Sequence, residues 1–358
     1  MFNHIIPELI FNFISSKLLN ENLSIKDIAR IAGVVPSTVS LVLNGKAKER
    51  RISDSLAEKI KKIAEEANYN PNQIAVSLRT GSSKLLGLII EDISNIFFAR
   101  LAKAVDDEVN KHGYRVVFCS TENNSEKGNE LINVLFQRKI DGYIIAPTEG
   151  MENKVAELLK LHQPVVLIDR YFPKLPIPFA MTDNIAGGAE VLEYLLNKGY
   201  KNIGLVTSDF PVMHPQQREA AYNSTLKKYG IITKPGYVYK VPYQSLQQEA
   251  KDLIADFLKR TPELDAVFFT TNYLGIAGLE SIKQLGLRIP EDLAVICFDD
   301  HDIFKLHNPT ITAVEQDVES IAKNAINLLM QQFKKEYNNI AEPGHVLLRG
   351  KLIERESV

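Results

Sequence analysis

Seven short apolar runs decide what most of this chain can fold into. They are "LLGLII" (85–90), "RVVFCS" (115–120), "GYIIAP" (142–147), "PVVLID" (164–169), "NIGLVTS" (202–208), "DAVFFT" (265–270) and "LAVICF" (293–298). Each is rich in Val, Ile, Leu or Phe along its whole length, and amphipathic helical segments lie between them. A strand apolar on both sides is covered on both faces, and an intervening helix returns the chain for parallel pairing. The series predicts a doubly wound α/β body over residues 83–358. It is long enough for two lobes, divided near Thr182, with the chain crossing back near the C-terminus.

Residues 24–69 read differently, as helices only. Charge separates the same two regions. Ser24 to Ser82 holds ten Lys or Arg against six acids, so this head carries +4 within a chain of net −2. A basic head on an acidic body suits a polyanionic partner, and it equally suits a solvated helical surface. The two cysteines, Cys119 and Cys297, fall inside apolar runs and read as buried thiols rather than a disulfide framework. Residues 1–22 have no basic leader, and Glu8 and Asn12 interrupt their apolar stretch. This extension predicts neither a signal peptide nor a membrane span, and a cytoplasmic protein is expected.

Within the head, "LSIKDIARIAGVVPSTVSLVLNG" resolves into pieces. Ser24 caps a helix whose Ile25, Ile28 and Ala29 share one face. Gly33 ends it, and Pro36 opens the next, where its missing N–H costs nothing. On this second helix Val39, Val42 and Leu43 fall on one side. Ser37 and Leu41 point the other way, with Thr38 and Ser40 on the flanks. A two-turn helix that buries Val and Leu and shows small hydroxyl residues suits a DNA major groove, where small side chains admit backbone and base edges.

This segment resembles the N-terminal helix-turn-helix of the lactose-repressor (LacI) family, with "STVSLVLNG" as its recognition helix; the resemblance runs from about Leu23 to the C-terminus. It implies a DNA-binding headpiece over 23–70 that includes Ser24, Pro36, Ser37, Thr38, Ser40, Leu41 and Asn44. Two departures stand out. Some twenty residues precede the first helix, and Leu41 stands where many members carry arginine. Leu41 offers apolar contact, for example to a thymine methyl, in place of a bidentate contact to guanine. A third helix reads from Ser53 to Ala67. After it, "YNPNQIAVSLRTG" gives a hinge over 71–82, a turn and a half capped by Asn72 and stopped by Gly81. A helix this short is below the roughly 12–15 residues needed for marginal stability in water, so partners must hold it. The resemblance implies that two hinge copies pair in the minor groove and that Leu78 wedges between base steps; packing of Leu78 on the body is the plainer reading of the residues alone.

In open α/β lobes, ligands bind beyond the carboxyl ends of the strands. The residues there are Asn95, Phe97 and Phe98 after the first run, Asp169 and Arg170 after the fourth, and Arg218 in "HPQQREAAY". Tyr243 follows in "VPY", Asn272 after "DAVFFT", Asp299 after "LAVIC" and Gln316 in "TAVEQD". Carboxylates accept from vicinal hydroxyls, Arg and Asn donate, and flat rings stack on sugar C–H faces. The set resembles the sugar-contacting residues of ribose-type periplasmic binding proteins, which implies a small monosaccharide effector and a periplasmic-binding-protein-like body. Asp183–Asn184 reads instead as a helix N-cap.

"DDHD" (299–302) is weak as a metal site, because the other histidines lack ligand spacing. No phosphate-binding loop, dinucleotide fingerprint or serine nucleophile elbow occurs, so no catalytic residues and no cofactor are assigned. The sequence reads as a regulator, of the repressor kind, binding a pseudo-palindromic double-stranded operator under the control of a small sugar. Two-fold operators require a homodimer, and no trailing heptad segment suggests a tetramer. Two alternatives stand beside it: a sugar receptor that acts without DNA, and an α/β enzyme acting on sugars.

Overall fold

The computed structural model describes residues 23–69, 76–77, 80–210, 213–243, 249–334 and 344–358. The chain divides into two compact units, one ending at Ser83 and the other running from Lys84 to Val358. The expected extension 1–22 and hinge residues Asn72 and Leu78 lie outside the described residues.

The first unit contains α1 (Ile25–Ala32), α2 (Pro36–Leu43) and α3 (Asp54–Glu66). Ser24 and Asp27 form a reciprocal capping box at the start of α1, and Gly33 ends it in the left-handed region at φ 75°. Pro36 stands at the first turn of α2. Ile28, Ala29, Val39, Val42, Ala57 and Ile60 make one small core, with Ile25 and Leu43 packed at its edge. The faces read from the sequence are therefore the faces buried. At the end of the unit, Thr80 donates from Oγ1 to the Val76 carbonyl at 2.9 Å, and Gly81 N–H donates to the Ser77 carbonyl at 2.8 Å.

The second unit holds two six-stranded sheets. Lobe one contains β1 (Leu85–Ile90), β2 (Arg115–Ser120), β3 (Gly142–Ile145), β4 (Val165–Ile168), β5 (Phe179–Thr182) and β11 (His345–Leu348), in the order β11-β5-β4-β3-β1-β2. Its helices are α4 (Ile96–Lys111), α5 (Ser125–Gln137), α6 (Glu152–Lys160) and α12 (Val318–Gln332). Lobe two contains β6 (Ile203–Ser208), β7 (Val238–Val241), β8 (Ala266–Phe269), β9 (Ala294–Phe298), β10 (Thr312–Glu315) and β12 (Lys351–Ile353), in the order β12-β10-β9-β8-β6-β7. Its helices are α7 (Asn184–Asn197), α8 (Met213–Lys228), α9 (Ala250–Arg260), α10 (Asn272–Leu285) and α11 (Asp302–Leu306). Among the described residues every strand pair is parallel except β10 with β12. Apolar clusters cover both faces of each sheet, which is why the central strands are apolar throughout.

The chain passes between lobes three times rather than twice: after β5 at Asp183, after β10 at Gln316–Asp317, and between β11 and β12 at Arg349–Gly350. Glycine is required at the last crossing. A Cβ on Gly350 would fall 2.7 Å from Val314 Cγ1 and 3.2 Å from the Glu315 carbonyl. One expectation is corrected. β2 is an edge strand, half-covered and exposing Phe118, so Cys119 is half-buried while Cys297 in β9 is fully buried.

Candidate functional site: the interlobe cleft

Both sheets present their carboxyl ends to the space between the lobes, and two strand ends share an unusual backbone. Asp169 after β4 and Asp299 after β9 both lie in the left-handed region, at φ 62° and 69°. Few residues other than glycine go there without cost, and aspartate is one that tolerates it. The turn aims each carboxylate out of its strand and toward a guanidinium.

In lobe one, Arg170 is almost fully buried. Its Nε stands 3.0 Å from Asp169 Oδ2, one Nη donates to Asn123 Oδ1 at 2.7 Å, and the other ion-pairs with Glu91 at the end of β1. In lobe two, Arg218 of α8 is equally buried. Its Nε donates to Asn184 Oδ1 at 3.0 Å, Nη1 lies 3.5 Å from Asp299 Oδ2 and donates to the Thr270 carbonyl, and the guanidinium stacks 3.5 Å over the Phe298 ring. Close packing of α7 on α8 sets this up, because a Cβ on Gly188 would sit only 2.8 Å from Ala221.

The two half-sites meet. Asn123 donates from Nδ2 to the Tyr243 hydroxyl across the lobes at 2.8 Å, and Tyr243 stacks on Phe210 at 4.1 Å. Gln316, at the second crossing, donates to Asp299 and accepts from the Thr182 hydroxyl at the end of β5. Arg100 of α4 pairs with Asp302 of α11 at 3.0 Å. Burial pushes the Asp169 carboxyl up to about 6; Arg170 and Arg218 oppose this, while Glu91 and Asp299 reinforce it. Burial lowers His214 well below the usual histidine range, and the Arg170 and Arg218 charges lower it further. Beside this buried cluster, a groove of about 570 Å³ opens along the crossings, lined by Phe97, Arg100, Asp299, Lys305, Gln316 and Arg349 among others.

Of the ten residues expected at an effector site, Asp169, Arg170, Arg218, Tyr243, Asp299 and Gln316 share this connected network, and Phe97 lines the groove. The other three are placed differently. Asn95 caps α4, its Oδ1 accepting from Phe97 N–H at 3.0 Å. Phe98 packs in the core of lobe one, against the sheet rather than in the cleft, because α4 turns that face inward. Asn272 is buried at the start of α10, and its neighbour Tyr273 is the one that senses Glu91, Arg170 and Asp299. Asp183 is an N-cap as read, but Asn184 beside it holds Arg218. Glu91, Asn123 and His214 were not singled out from the sequence. Glu91 directly follows an apolar run and was legible by the rule used for the others; Asn123 and His214 sit in loops and first turns that no period marks.

The "DDHD" run does not converge on one point. Asp299 faces Gln316 and Arg218, Asp300 is held by both Nη atoms of Arg355 at 2.8 Å, His301 caps α11, and Asp302 meets Arg100. Among the described residues no group of three or more His, Cys, Asp or Glu is placed to hold a metal ion, and no helix is long and apolar enough to cross a membrane.

In the head, Ser37 and Asn44 are exposed and Thr38, Ser40 and Leu41 are half-exposed. Asn44 donates from Nδ2 to the Ser40 carbonyl at 2.7 Å and closes the end of α2. Pro36 is exposed at the start of that helix and Ser24 at the start of α1, where its hydroxyl is held by Asp27.

Residues 24–72 match the family described as bacterial regulatory proteins, lacI family, and residues 192–358 match a periplasmic binding protein-like domain. The ribose operon repressor of Halalkalibacterium halodurans is 30% identical over 313 residues, covering 87% of this chain and 91% of that protein. The chain belongs to the LacI family. The HTH-type transcriptional regulator KdgR of Bacillus subtilis is 29% identical over 336 residues, covering 94% of this chain and 97% of that protein. The lac repressor dimer, solved bound to operator and the anti-inducer ONPF, shares the fold, with a TM-score of 0.82 at 21% identity, covering 94% of this chain and 99% of that one. As a member of the LacI family, the chain is a transcriptional regulator rather than an enzyme.

Proposed function

We propose that this LacI-family regulator is a cytoplasmic homodimeric repressor whose head (23–70) binds a pseudo-palindromic operator, and whose body (83–358) adjusts that binding when a small sugar fills the interlobe cleft. The observation that carries the reading is the cleft network itself. Both lobes contribute a left-handed aspartate and a buried arginine, and hydrogen bonds cross between them. A ligand with several hydroxyls can replace those interlobe bonds, so its arrival changes the energy of lobe closure. The Halalkalibacterium relative is named for the ribose operon, which supports a monosaccharide.

On the DNA side, Ser37, Thr38, Ser40 and Leu41 form the exposed face of α2, which would lie in the major groove. The proposed hinge, residues 71–82, would transmit the lobe motion, with Leu78 as the wedge and Asn72 as its cap. Coupling of about 1–3 kcal/mol would alter operator affinity roughly 5–150-fold. Operator selection from random duplexes, followed by binding over a salt series, tests the reading. Affinity for the selected sites should fall steeply with salt, and an affinity indifferent to salt would contradict it.

A further inference from the structure

Lys84 is the first residue of the second unit, so the hinge joins the body here. Although exposed, it is fixed at several points. Its backbone is left-handed at φ 58°, its N–H donates to Asp141 Oδ2 at 3.1 Å, and its carbonyl accepts from Arg115 N–H at 2.9 Å. Its ammonium sits 4.3 Å over the Tyr114 ring. Tyr114 in turn stacks on Phe333, with centroids 5.5 Å apart and ring planes 10° from parallel.

These two rings close the far ends of two helices. α4 ends at Lys111, three residues before Tyr114, and α12 ends at Gln332, directly before Phe333. Both helices run against the parallel strands of lobe one. They begin at its carboxyl edge, facing the cleft, and finish at its amino edge, about 22–24 Å away. Both also carry a bond to lobe two at their cleft end. Arg100, in the second turn of α4, pairs with Asp302 at 3.0 Å, and Gln316, two residues before α12, donates to Asp299. Between their ends the helices share one apolar core, where Leu101, Val105 and Val109 of α4 pack with Ile321, Ala325 and Leu329 of α12. At the far end, Gln332 bonds both the N–H and the carbonyl of Val165, at 3.0 and 2.9 Å. Phe333 fills the space over Gly142, where a Cβ would fall 3.3 Å from its ring. A close-packed helix pair does not absorb a displacement along its length, and a ring without free volume passes a small shift to the ring stacked on it.

We infer that α4 and α12 carry the state of the cleft to the root of the hinge, and that Tyr114 and Phe333 are positioning residues that set the place of Lys84. The inference rests on the reading that filling the cleft controls operator binding.

The full-length protein is titrated calorimetrically with D-ribose, D-xylose, D-glucose and D-gluconate, and a sugar that binds is carried into operator titrations with Lys84→Met, Lys84→Arg, Tyr114→Leu and Tyr114→Phe. Lys84→Met and Tyr114→Leu should leave the sugar affinity of the DNA-free protein within about twofold, because neither residue is near the cleft. The factor by which sugar changes operator affinity should shrink about 2–30-fold in both, the range of a cation–π contact. By linkage, the factor by which operator changes sugar affinity shrinks equally, which a contact that only stabilises the fold would not bring about. Lys84→Arg and Tyr114→Phe keep a cation over a ring and should retain the response. An unchanged factor in Lys84→Met, whose exposed side chain can be replaced without unfolding the body, would overturn the inference and leave cleft control standing. No response of the unmodified protein to a sugar it binds, or binding of none of the four compounds, would overturn the cleft reading along with it.

Discussion

Asp169 and Asp299 occupy equivalent places in the two lobes, each the residue after a central parallel strand, each in the left-handed backbone region and each facing an arginine. Aspartate tolerates the left-handed region better than most residues, and in each lobe it turns the carboxylate out of its strand toward the arginine it pairs with. Residues elsewhere share that backbone, Arg51, Lys84, Lys139 and His162 among them, so it is the pairing with a buried arginine, repeated in both lobes, that sets this place apart.

Asp169 should make stability depend on pH. Its folded value of about 6 lies above the ordinary 3.8, mainly through burial. The folded chain therefore holds this proton more tightly than the unfolded chain. The contribution is fully present below the ordinary value and is lost as pH rises through about 6, on the order of 3 kcal/mol in all. Asp169→Asn keeps a residue tolerant of the left-handed region and cannot ionise. Urea unfolding between pH 4 and 7 should show the variant gaining stability relative to the unmodified protein as pH rises, while its sugar affinity drops.

Gln316 ties two interlobe crossings together, accepting from Thr182 and donating to Asp299. Gln316→Ala leaves a buried hydroxyl and a carboxylate without this partner, at about 1–3 kcal/mol. The midpoint of urea unfolding should fall accordingly. Because the bond sits at a crossing, effector affinity and the operator response should weaken together. A loss of stability with both responses intact would show that Gln316 only holds the fold.

Leu41 stands half-exposed on α2, and under the proposed major-groove docking an arginine there would reach guanine whereas leucine would not. Leu41→Ala should relax the preferred base at one symmetric pair of operator positions by about 1 kcal/mol or more, a value at the low end for a base contact. The salt dependence should stay as it is, because leucine meets no phosphate. Site selection with both proteins, followed by salt titrations on the selected duplexes, reads both quantities.

The sequence made the strands buried on both faces legible, since LLGLII, PVVLID and LAVICF have no polar side to confuse them. It left β5, β7, β10, β11 and β12 without their own strand assignments. These are three or four residues long: β7, β11 and β12 are partly exposed edge strands whose apolar signal is diluted, while β5 and β10 are buried but too short to stand out as runs. The cleft followed the same logic. Residues placed by a strand end, such as Asp169 and Asp299, could be named in advance, because strand ends are countable. His214 and Asn123 depend on how a loop folds across the other lobe, and no local period encodes that. Phe98 shows the converse. Next to Phe97 it looked like a second stacking ring, yet a one-residue step rotates a helix by a little over a quarter turn and carried it into the core.

Filling the cleft should change operator binding, and fluorescence anisotropy of a labelled selected operator, titrated with protein with and without a saturating neutral sugar, measures it directly. A shift in operator affinity of about 5–150-fold, abolished in Arg218→Lys while that variant's sugar-free DNA binding survives, is the predicted result. An operator affinity unchanged by a sugar that calorimetry shows to be bound in the cleft would contradict it.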